Sequence, residues 1–149
     1  FTDNLGRISG GSTQNPITPP GLAAGPEFLE TTLPTVPLRG ALGRSSPVPQ
    51  ETTVEEIRQG ETRPVTSTSG PTPGSTSIRG SGGGYLSNEI FYRISLLRTQ
   101  RQQQTGVELL VGHLHIPPPR SDDPATMASQ RDEIIKRVQS LLEASLPHL

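Results

Sequence analysis

The chain has 149 residues, about one domain's worth, and its 30% hydrophobic and 3% aromatic content with 16 glycines and 16 prolines sits near the level where low-complexity sequence becomes the default. A net charge of −1 leaves no field to draw in nucleic acid or an anionic membrane, and no apolar run is long enough to span a bilayer. With no cysteine, disulfides and thiolate metal sites are excluded, and with no signal-peptide pattern a cytoplasmic setting is the natural expectation. The first residue is Phe1 and not Met, as in a fragment.

Residues 1–26 are turn-rich. Asp3-Asn4 and Gly10-Gly11 are turn signals, and Pro16, Pro19 and Pro20 exclude a long helix, so a solvated loop is expected. Phe28, Leu29 and Thr31–Leu33 lead to Pro34, which suits the first turn of a helix carrying Val36, Leu38, Ala41 and Leu42. Pro37 is tolerated only within that first turn, and Gly43 would end the helix. Residues 44–81 read as a Pro/Gly/Ser/Thr linker. A short helical piece is expected at Thr53–Gln59, and a strand at either Arg63–Thr68 or Ser75–Arg79, between which the pattern does not choose.

From residue 84 the pattern is globular. A helix runs from about Leu86 to about Gln103, with Leu86, Ile90, Ile94 and Leu97 as its apolar face and Gly106 as its stop. Val107–Ile116 is apolar enough for a strand buried on both faces, broken at Pro117-Pro118-Pro119. An amphipathic helix follows at about Ser129–Ala144, with Ile134, Ile135, Val138, Leu141 and Leu142 as its inner stripe. Ser129 is its expected N-cap, with Asp132 three residues on. Helix, strand and helix in this order suggest an α/β layer architecture.

Two residue types here can carry chemistry. Gly82-Gly83-Gly84 opens the helix, and Ser87 lies in its first turn, beside free backbone N–H groups and the positive end of the dipole. It reads either as a nucleophile with an oxyanion site beside it or as an N-cap serine. His115 stands at the C-terminal end of the expected strand, where open α/β sheets place active sites. His115 is one candidate base, His113 another, and both also read as ordinary strand-end histidines. Asp122-Asp123 has no partner at metal spacing, so no metal is expected.

The stretch Gly82-Gly83-Gly84-Tyr85-Leu86-Ser87-Asn88, followed by Tyr92, resembles the nucleophile motif of pyroglutamyl-peptidase I, Ala-Gly-x-Tyr-x-Cys-Asn. Gly112-His113-Leu114-His115-Ile116-Pro117 resembles the same family's Gly-Phe-Ile-His-Val-Pro. Upstream, Asp3-Asn4-Leu5-Gly6, Pro16-Ile17, Gly25-Pro26 and Thr32-Leu33-Pro34 follow its order of short motifs. The resemblance implies a three-layer α/β/α sandwich with a mixed, mostly parallel sheet, incomplete because the first strands are missing. It implies a single partial domain over residues 1–149, with an insertion at about 44–81. It further implies removal of N-terminal pyroglutamate from peptides by acyl transfer, without metal or cofactor. Ser87 would be the nucleophile and His115 the base, and Gly83, Gly84, Tyr85 and Asn88 would bind substrate. Family members often form oligomers, so a homo-oligomer is implied too, with no nucleic-acid or membrane partner. Serine stands where the family has cysteine, and the family's upstream glutamate has no counterpart here. The alternative reading is therefore an inactive homologue acting as a binding protein.

Overall fold

Along Val54–Ile57 every second residue turns inward: Val54 and Glu56 are buried while Glu55 and Ile57 are half-buried. That period of two belongs to a strand, and Thr52, Thr53, Val54 and Ile57 are β-branched residues that favour one. The computed structural model, which describes residues 1–7, 14–18, 25–43, 49–116 and 118–148, accordingly has β5 at Val54–Ile57 and not the expected short helix. The pattern was hidden because the second inward position holds a carboxylate. β5 pairs antiparallel with β6 (Val65–Ser67) on one side and β7 (Thr76–Arg79) on the other. Both candidate strands therefore form, with Glu56 opposite Val65 and Ser77 and a bulge between Glu55 and Glu56. The linker reading of 44–81 is thus corrected over residues 51–81, which build a sheet. Residues 44–48 lie outside the described residues.

The chain forms two units, Phe1–Thr32 with Glu51–His113, and Leu33–Gln50 with Leu114–Leu149. In the first unit the expected solvated loop is instead paired and partly buried. β1 (Thr2–Asp3) pairs antiparallel with β4 (Phe28–Leu29), and β2 (Leu5–Arg7) with β3 (Gln14–Pro16). Thr2 and Asp3 are fully buried, and Ile17 is buried. The expected turn at Gly10-Gly11 and the residues Pro19 and Pro20 lie outside the described residues.

The helix α2 spans Leu86–Thr105 and ends as expected at Gly106, whose φ of 70° lets its N–H donate to Gln102 O. Its buried side is Asn88, Phe91, Tyr92, Ser95 and Leu96. The expected apolar face, Leu86, Ile90, Ile94 and Leu97, is the exposed one. Tyr92 decides this orientation. It packs with Ile17, Leu96 and Leu29 as the core cluster, and its hydroxyl donates to Pro26 O at 2.6 Å. Burial, with the negative Glu27 and Asp3 nearby, pushes its phenol up to about 12. Tyr92→Phe keeps the ring and orphans a carbonyl, so we expect a loss of about 1–2 kcal/mol in urea unfolding. A spectrophotometric titration should show one phenol ionising only near pH 12 in the wild type and none there in the variant.

Val107–Ile116, expected as a doubly buried strand, joins no ladder among the described residues. Thr32 holds its middle: Thr32 N–H donates to Val111 O at 2.8 Å, and Val111 N–H donates to Thr32 Oγ1 at 2.9 Å. Val107 and Leu109 are exposed. Among the described residues the sheets that form are all antiparallel, two of two strands and one of three. The mixed, mostly parallel three-layer sandwich is therefore corrected. Such a sheet needs a central run of parallel strands joined by crossover helices, and the segment expected to supply it is not a strand.

In the second unit α1 (Thr35–Ala41) packs on α3 (Pro124–Ser145), with Leu38 and Leu141 buried. α1 follows Pro34 with Pro37 in its first turn, as its proline positions require. α3 begins ahead of the expected Ser129. Asp123 is its N-cap, accepting from Thr126 N–H at 2.8 Å, and Pro124 follows. The hydrogen bonds of Thr126 hold the Asp123 carboxyl below its ordinary range. Of the expected inner stripe, Leu141 is buried and Ile134 and Val138 are half-buried, whereas Ile135 and Leu142 are exposed.

Candidate functional site

The glycine turn ahead of α2 is built around Ser87. Gly83 has φ of 109°, and a Cβ there would overlap Ser87 Oγ, so only glycine fits. Tyr85, not Ser87, is the N-cap, and its side chain makes no capping bond. Ser87 is the second helical residue and half-buried. Its side chain makes no hydrogen bond among the described residues. Tyr85 is 47% exposed, and Gly84 lies under the Arg79 guanidinium. His113 belongs to the first unit, with its ring tilted against Phe91 at 6.3 Å between centroids. His115 is exposed and belongs to the second unit.

Asn88, expected to touch substrate, is fully buried. Its Oδ1 accepts from Thr2 Oγ1 at 2.7 Å and from Asp3 N–H at 3.0 Å. Its Nδ2 donates to Asp3 O and Leu5 O. The amide is consumed in fastening α2 to β1 and β2. This is the physical content of the Ser-Asn motif here: the asparagine holds the N-terminal strands.

Carboxylates extend the same network. Asp3 accepts from Arg7 Nη2 at 2.9 Å and from Gly80 N–H, and Glu27 Oε2 accepts from Ser77 N–H and Ser77 Oγ. Arg7 also donates to Ile78 O, so β7 is tied along its outer side to the N-terminal segment. Glu56 is buried under β5, where burial raises its pKa. Donation from Thr72, Ser75 and Arg58 outweighs that and holds the carboxyl at about 2. Sequence reading missed Asp3, Glu27, Glu56 and Ser77 as structural groups. Polar residues in a turn-rich segment look alike whether solvated or buried, because partners distant in sequence decide which they are. Among the described residues no group of His, Asp and Glu could hold a metal ion.

The outer side of α2 is the other distinct surface. Leu86 is 66% exposed, Ile90 48%, Ile94 47% and Leu97 51%. Arg93 lies beside this stripe, paired with Glu89 at 2.7 Å, and the exposed Arg101 continues it toward the C-terminus. No helix among the described residues is long and apolar enough to cross a membrane.

Short antiparallel sheets knitted by buried carboxylates, with one long helix packed on them, define a small α+β domain and not a three-layer sandwich. Residues 44–119 match the family model described as PA0049, C-terminal domain, and the chain belongs to that family. The matched span includes the β5–β7 sheet, the glycine turn and α2. Neither a curated protein nor a solved structure matches the chain. The resemblance to pyroglutamyl-peptidase I is thereby overturned. Its motifs are short and rich in Gly, Pro, Asn and Thr, residue types that turns and helix starts demand in any fold.

Proposed function

We propose that the first unit is a protein-binding module whose working surface is the outward apolar side of α2. One observation carries this: the stripe Leu86, Ile90, Ile94 and Leu97 faces solvent, while Asn88 and Ser95 of the same helix are buried. A surface helix ordinarily turns its apolar stripe inward. Single exposed leucines are normal, but a contiguous stripe marks an interaction site. At spacings of four, four and three it matches the geometry by which one helix packs on another. Acyl transfer is not carried forward. It was implied only by the resemblance to pyroglutamyl-peptidase I, which the family match replaces.

The surface is tested with anilinonaphthalene sulfonate, a dye that fluoresces on apolar protein surface. Wild type should enhance its fluorescence. The double variant Ile90→Gln, Ile94→Gln should lose most of that signal, with an unchanged thermal melt by circular dichroism, because both side chains are about half exposed already. An undiminished signal in the folded variant would remove the basis of the reading.

A further inference from the structure

We infer that the partner seated on this face is an amphipathic helix whose apolar stripe is flanked by carboxylates. This rests on the binding-module reading and adds the partner's chemistry. α2 carries three arginines, Arg93, Arg98 and Arg101, against one glutamate, Glu89, a surplus of two positive charges in a chain whose net charge is −1.

The arginines border the stripe. Arg93 stands on one flank, its side chain 39% exposed beside Glu89. Arg98 stands on the other, anchored by Nη1 to Glu30 O and Thr32 Oγ1 at 3.3 Å. Its Nε is buried without a partner, so the guanidinium is held in place at the cost of one unmet donor. Arg101 follows Leu97 by one turn and is exposed.

Apolar side chains supply the contact area, and bordering cations select an acidic partner and reject a basic one. A second copy meets this surface poorly. Pairing α2 with α2 in either direction sets a surplus of positive charge against an equal surplus. An anionic membrane fits less well than a helix, because polybasic recognition of lipid draws on about four to eight cations, more than this helix offers.

The test uses the full chain and two labelled designed peptides of roughly 18 residues, a length at which helices begin to hold in water. Both carry the same leucine stripe, one flanked by glutamates and the other by glutamines. Fluorescence anisotropy should show the glutamate peptide binding roughly fivefold to tenfold more tightly, as a few partly exposed ion pairs allow. Arg93→Gln with Arg101→Gln should bring the two peptides level, and so should high salt.

Equal affinity of both peptides for the wild type would overturn the acidic partner and leave the binding module standing. So would sedimentation showing a dimer that Ile94→Gln dissolves, or pelleting of the chain with phosphatidylserine vesicles when neither peptide binds. If neither peptide binds and the dye signal does not depend on Ile90 and Ile94, the inference and the reading beneath it both fall.

Discussion

Asn88→Ala is expected to destabilise the first unit by about 3–5 kcal/mol, a large share of the roughly 5–15 kcal/mol that holds a domain folded. The reason lies in what is left behind. Truncation strips Asp3 N–H, Asp3 O and Leu5 O of a shared partner, and the site is fully enclosed. Each unmet buried group costs about 1–3 kcal/mol, and the vacated volume adds to that. Asn88→Asp is a sharper control of nearly the same shape. It replaces the donating amide with a carboxylate oxygen facing Asp3 O and Asp3 Oδ1, which lie 3.0 Å and 3.3 Å from Nδ2. It should destabilise comparably, and more so as pH rises and the new acid ionises. Urea unfolding followed by circular dichroism reads both. A loss under about 1 kcal/mol for Asn88→Ala would mean that the amide is not a fastening group.

Glu56→Leu should be nearly as damaging, with about 3–5 kcal/mol lost. The carboxylate is fully buried. Its oxygens accept from Thr72 N–H at 2.6 Å, Thr72 Oγ1 at 2.6 Å, Ser75 Oγ at 2.7 Å and Arg58 Nε at 3.3 Å. Leucine fills the space but strands the turn's donors, so the Thr72–Ser75 turn should detach from β5. Glu56→Gln should cost less, about 1–2 kcal/mol, because one oxygen survives as an acceptor.

The two Glu56 variants also fix a pH dependence. The folded carboxyl sits at about 2, below its ordinary 4.5. A depressed acid stabilises the fold fully above the unfolded value and loses that contribution as pH falls through the folded one. The gap in stability between wild type and Glu56→Gln should therefore be constant above about pH 4.5 and shrink toward pH 2. A gap that closes already near neutral pH would contradict the buried, donor-saturated carboxylate.

Much of the helical framework was legible from local chemistry. Pro34, Pro37 and Gly43 place α1, and Gly106 ends α2, because proline and glycine restrict the backbone wherever they stand. β6 and β7 were visible as candidates, though not that both would be used, since only β5 between them gives each a partner. The start of α3 was missed because Ser129 and Asp123 are both good capping residues, and the Asp123-Pro124 pair is the stronger start.

The sequence by itself determined the place of α1 and the end of α2, that cysteine chemistry is excluded, and that one face of α2 is a continuous apolar stripe. Only the tertiary structure decided which way that stripe points. Tyr92 finds Pro26 O, and Asn88 finds Asp3 and Leu5, across more than sixty residues of chain, and those contacts rotate α2 so that its aromatic and amide side is inside. Period and composition are local quantities, whereas the partner that satisfies a buried hydroxyl or amide is set by the fold. In this domain such distant polar partners outweighed the simple apolar pattern, turning an expected core face into a surface.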